Sequence, residues 1–175
     1  EKRWILGVLG LTFIVYAFGF GNDFTNWDDP AYINAVIIDP LKNMGRILTS
    51  VVAANYHPVT MFSLALNVIL FGKTATSFIV LNVLIHIANT YMVFVVVKKL
   101  FSKYYQEPSF SFWLPLFTAC FFGIHPMHVE SVIWISERKD VLYTLFFLLS
   151  LNKYIDFLEV KTNKLYWISL LFFIL

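Results

Sequence analysis

The chain has 175 residues, 59% of them hydrophobic and 14% charged, with a mean hydropathy of +0.71 and 19 Phe. A soluble domain of this length cannot hide so much apolar surface, so the composition predicts an all-α, polytopic membrane helix bundle. The net charge of +2 comes with no basic, aromatic-laced patch, which argues against a nucleic-acid partner, and the single Cys120 excludes an internal disulfide.

The first apolar run, Trp4 to Phe20, predicts a span over 4–20. No small-residue cleavage site follows it, so it reads as a retained anchor. Residues 21–75 form a long mixed segment. Its piece Pro58 to Phe71 is apolar but too short to cross, and is expected to lie in the interface or against the bundle. Further spans are expected at 77–97, 109–124 and about 141–158, and an incomplete one at 165–175. No linker or composition shift divides the chain. Counting basic residues gives the direction. With the N-terminus in the cytoplasm, the inner segments carry eight Lys and Arg in 28 residues (Lys103 among them), and the outer ones five in 71. Segments 21–75 and 125–140 then share the outer face.

Two polar clusters fall in those segments. The first is Asp28-Asp29-Pro30. A structural reading makes Asp29 a helix N-cap with Pro30 at the first helical position. That accounts poorly for Asp28, since adjacent carboxylates repel. Asp28 is therefore the candidate general base, with Asp29 beside it. The second runs from His125 to Asp140 and holds two His, two Glu, one Arg, one Lys and one Asp. Ser136 reads as a helix cap, with Glu137 and Asp140 suiting the positive end of the helix. Arg138 and Lys139 are disfavoured there unless they meet an anion, and a lipid phosphate is the expected one. His125, His128 and Glu130 match no standard zinc spacing. The reading taken is two imidazoles bonded to backbone where Pro126 breaks a helix, with no metal or other cofactor required; a divalent ion is the alternative. If 127–139 is one helix, Glu130 and Arg138 share a face. Within the second span Asn82, His86 and Asn89 also share a face and are expected to pair with neighbouring helices.

Four motifs carry a resemblance: NWDDPAYI, ANYHPVT followed by an apolar helix and Phe71-Gly72, LNVLIHIANT, and HPMHVESVIWISERKDVL. The chain resembles the N-terminal part of GT-C-type membrane glycosyltransferases with C-terminal tetratricopeptide repeats, a group that includes the transmembrane O-mannosyltransferases and bacterial relatives. Pro30 stands where bacterial relatives often have a third acid. The resemblance implies a polyprenyl-phosphate sugar donor, mannose-like, and a protein hydroxyl as acceptor, with transfer at the external face. The membrane is then a bacterial inner membrane or the endoplasmic reticulum. It lines up Asp28 with the first acid of the family's catalytic pair, and puts Arg138 near the lipid phosphate. His57, His125, His128, Glu130 and Glu137 are expected to line or brace one cavity with Asp28, Arg138 and Lys139. Family members need more helices, so the chain reads as a fragment, inactive alone. The rival readings are a non-catalytic membrane scaffold or assembly subunit and, resting only on His86 and its neighbours, a transporter.

Overall fold

The computed structural model describes residues 2–102 and 108–175. Lys103, one of the cations counted on the inner side, lies outside the described residues. The described residues form helices throughout: α1 (Lys2–Ala17), α2 (Asp29–Ile37), α3 (Met44–Thr49), α4 (Pro58–Phe71), α5 (Ala75–Ser102), α6 (Pro108–Ile124), α7 (Val129–Ile133), α8 (Arg138–Val160) and α9 (Asn163–Ile174). Single 3-10 turns occupy Phe18–Gly21, Pro126–His128 and Ile135–Glu137. The fold is an all-α membrane helix bundle.

Three stretches are long and apolar enough to cross a bilayer: Lys2–Gly21, Ala75–Phe101 and Ile135–Val160. A fourth, Phe110–Ile124 with Pro126–Ile133, is bent by 47°. The bend has a sequence cause. His125 is extended before Pro126, as the residue preceding proline is disposed to be, and the helix ends there. Helix α8 starts at Arg138, three residues ahead of the span start expected at 141, and Arg138 is buried rather than left at the surface.

Helices α1, α5 and α6 pack together, and α8 packs on α5 and α9. Their outer faces show large apolar side chains such as Trp4, Ile14, Phe117 and Phe147, as lipid-facing surfaces should. Gly123 sits where α1, α5 and α6 meet. A Cβ there would lie 2.5 Å from Thr12 Oγ1 and 2.9 Å from Thr90 Cγ2, so only glycine permits this approach. Lys99 of α5 pairs with Asp156 of α8.

Segment 21–75 is not a loose loop. Tyr32, Ile33 and Val36 of α2, Ile47 of α3, and Met61, Leu64 and Ala65 of α4 are buried in one core. That core also takes in Phe78, Ile79 and Val83 of α5, and Val132, Ile135 and Val141 beyond the bend. The segment therefore docks on the same end of the bundle as residues 125–141.

Candidate active site

The two polar clusters meet. Asp29 is 1% exposed, and its carboxylate accepts the Thr25 N–H at 2.8 Å and the Ser136 N–H at 2.9 Å, across 107 residues of chain. These charge-assisted bonds tie the start of α2 to the turn before α8. The expected caps are corrected here. Asp28, not Asp29, occupies the N-cap position of α2, and its carbonyl accepts the Ala31 N–H at 2.9 Å. Its carboxylate makes no capping bond and stays half-buried at the surface. Likewise α8 begins at Arg138 with Glu137 at its N-cap, so Ser136 caps nothing; its N–H is committed to Asp29.

Arg138 is 0% exposed. Its Nε donates to Asn82 Oδ1 at 2.7 Å, and its Nη2 to Phe78 O at 2.8 Å and Asn67 Oδ1 at 3.0 Å. Nη1 reaches Ser63 O at 3.3 Å and Ser63 Oγ at 3.4 Å. Its guanidinium also lies 5.5 Å from the centre of the Phe78 ring. The expectation that Arg138 borders a cavity against a phosphate does not match this placement. A guanidinium is the one cation that can satisfy all its donors against neutral acceptors on two helices, so it pins α8 to α4 and α5. No carboxylate pairs with it among the described residues, so its charge stays uncompensated beneath the site.

Lys139 takes the position facing outward to the cluster. Its Nζ bonds Glu137 Oε1 at 2.7 Å and lies 5.9 Å over the Tyr32 ring. Tyr32, fully buried on α2, stacks on His57 with ring centroids 5.2 Å apart and planes 12° from parallel. Burial pushes the Tyr32 hydroxyl above its ordinary pKa; Lys139 pulls it back, and the Asp28 and Glu137 carboxylates push it further up. Burial first, then the Lys139 cation, holds the His57 imidazole below its usual range. The His57 Nε2 is buried with no partner among the described residues. Lys139 thus links Glu137, Tyr32 and His57, and Asp28 joins this cluster through Tyr32. Beside it lies a cavity of about 390 Å³, polar at His57 and Lys139 and apolar along Val59, Leu142 and Phe146.

The remaining candidates divide. His125 accepts the Met127 N–H on Nδ1 at 3.2 Å, as a residue at a helix break should. Among the described residues His128 bonds no backbone group in this way; its ring packs 4.6 Å from Phe122 and 5.5 Å from His86, in a different cavity. Glu130 is exposed, and it does not share a helical face with Arg138, because the helix breaks at Trp134. Among the described residues no three His, Cys, Asp or Glu side chains are grouped to hold an ion. The Asn82, His86 and Asn89 stripe pairs as expected, with Trp134 O, Gly123 O and Val141 O at 3.2, 3.1 and 2.9 Å. Tyr32 was missed in the sequence, although it lies one turn after Asp28 on α2. Asn67 was missed too, although a lone amide inside an apolar run is a signal for a buried polar partner.

No family model and no solved structure matches this chain. Curated relatives do. Protein O-mannosyl-transferase F38B6.6 of Caenorhabditis elegans is 30% identical over 170 residues, 91% of this chain and 24% of the relative. Protein O-mannosyl-transferase TMTC4 of Homo sapiens is 28% identical over 168 residues, 86% of this chain and 23% of the relative. Protein O-mannosyl-transferase TMTC1 of Mus musculus is 33% identical over 100 residues, 57% of this chain and 10% of the relative. The chain therefore spans about a quarter or less of the length of these relatives. By sequence, the chain is a relative of the protein O-mannosyl-transferases, matching one part of them.

Proposed function

We propose that the chain is the part of a membrane glycosyltransferase that holds the reacting groups, and that the complete protein moves a mannose-like sugar from a polyprenyl phosphate to a protein hydroxyl. The observation that carries this reading is the Asp29–Ser136 bond, which puts the acidic start of α2 against the basic start of α8. Relatives named as O-mannosyl-transferases support the chemistry. The count of basic residues supports an external site with the N-terminus in the cytoplasm.

In this reading Asp28, the carboxylate left without a capping bond, takes the proton of the acceptor hydroxyl as it attacks the anomeric carbon. The bond from that carbon to the phosphate oxygen breaks, and the lipid phosphate leaves with the electron pair. Lys139 is the cation placed to meet it, and Glu137 and His57 hold that end of the cavity. Arg138 adds a fixed positive charge from the interior without touching the ligand. Val59, Leu142 and Phe146 give the isoprenoid an apolar path from the phosphate towards the bilayer. Asp29 and Arg138 act as positioning residues.

The test is transfer of labelled mannose from a polyprenyl phosphate to a protein acceptor by the full-length product in lipid. Transfer is expected. A purified, folded protein that binds no polyprenyl phosphate and transfers nothing overturns the proposal and favours a scaffold.

A further inference from the structure

Helix α5, the α6–α7 bend and α8 enclose a second cavity, of about 370 Å³, that the mechanism above leaves without a role. That volume is within the range of small-molecule sites. Its wall includes His86 and Asn89 of α5, Phe122, His128, and Asp140 and Tyr143 of α8. So polar a wall is costly between apolar helices unless something answers it.

The chemistry of the wall narrows what answers it. Among the described residues no Lys or Arg lines the cavity, and Asp140 does, so a phosphate is disfavoured. The polar lining disfavours an acyl or isoprenoid chain. Asp140 is the lone carboxylate in the wall among the described residues, which makes a poor site for a divalent ion. What remains on offer is acceptors and flat faces. Asn89 spends its Nδ2 on Val141 O, while its Oδ1 is buried with no partner among the described residues. Asp140 accepts from Ser131 Oγ at 3.0 Å, and a carboxylate has capacity for further donors. Phe122 and Tyr143 supply ring faces. A compact ring carrying several hydroxyl donors and C–H faces, a hexose, meets both demands.

The position agrees with the chemistry. Tyr143 lines this cavity and also the one at His57 and Lys139. Asp140 follows Lys139 directly on α8. In a lipid-linked donor the sugar is bonded to the phosphate, so adjoining seats are required for the two. We propose that this second cavity seats the hexose of the donor, with Asn89 and Asp140 accepting its hydroxyls and Tyr143 between sugar and phosphate. This rests on the transferase reading.

The experiment measures binding of two probes to the full-length protein in nanodiscs: a polyprenyl phosphate bearing mannose and the same polyprenyl phosphate without sugar. Wild type is expected to bind both. Asp140→Asn and Asn89→Leu are each expected to weaken the mannose-bearing probe ~10- to 100-fold, as loss of a hydrogen bond to a charged or buried acceptor does, while leaving the bare phosphate unchanged. Retained binding of the bare phosphate shows that the variant is folded. Should a variant fail to fold, as loss of its thermal transition shows, Thr144→Val in the same wall supplies a milder change with the same expected selectivity, and the outcomes below are read on folded protein only. Equal effects on the two probes, or none on either, overturn the hexose seat and leave the transferase reading intact. A wild-type protein that binds neither probe overturns both.

Discussion

Replacing Arg138 with Met separates a strut from a ligand-binding cation. Met keeps most of the apolar stem and removes the guanidinium. Three buried acceptors then lose their close donors: Asn82 Oδ1 at 2.7 Å, Phe78 O at 2.8 Å and Asn67 Oδ1 at 3.0 Å. An orphaned buried acceptor costs about 1–3 kcal/mol. Phe78 O lies in α5 and is the least affected, because a helical carbonyl keeps its intrahelical partner. Removing an unpaired buried cation returns part of the loss. The two amide oxygens left without a donor cost about 2–6 kcal/mol together, so the balance is a destabilisation of about 2–4 kcal/mol. Thermal unfolding reads this as a lowered Tm. Arg138→Lys keeps the charge, yet a single ammonium cannot span Asn67 and Asn82 together, so it should also lose stability. The assay is thermal unfolding of the full-length protein in lipid beside its donor KM. A Met variant with wild-type Tm and a selectively raised KM would refute the strut and return Arg138 to the phosphate.

Asp29→Asn should destabilise the protein by about 1.5–3 kcal/mol, because the amide keeps one acceptor and loses the charge from bonds to Thr25 and Ser136. Thermal unfolding reads this, and a variant that loses turnover with unchanged Tm would make Asp29 a reacting group. His57 should make stability fall with acid. Its folded pKa lies below the ordinary value near 6.5, so below that pH the unfolded chain binds a proton that the folded one refuses until its own lower pKa is passed. Stability then drops as pH falls through this window, and His57→Gln should flatten that part of a Tm-against-pH curve; an unchanged curve contradicts it.

The bundle was legible because apolar runs of span length need no partner to be recognised. So was the meeting of the clusters, since the count of basic residues put both segments on one side. The roles within the cluster were harder. Arg138 and Lys139 are adjacent in sequence, and only packing decides which enters the core and which faces the cavity. The residues alone asked for an anion opposite both cations, since a cation at a helix start lacks a local reason, and only the family resemblance singled out Arg138. Asn67 and Asn82, 71 and 56 residues away from it, supply that reason from other helices. Glu130 was misplaced on the assumption of a continuous helix through 127–139. The break at Trp134 has no proline or glycine to announce it, and the Asp29 bond to Ser136 holds the chain there.

The most direct test of the central claim is single-turnover sugar transfer by full-length Asp28→Asn, with donor binding measured on the same sample. The account predicts intact donor binding and Tm with a rate lower by about 10²–10⁴-fold, the range for loss of a general base. Transfer at close to the wild-type rate, with the donor still bound, would contradict it and leave the acidic start of α2 with a structural role alone.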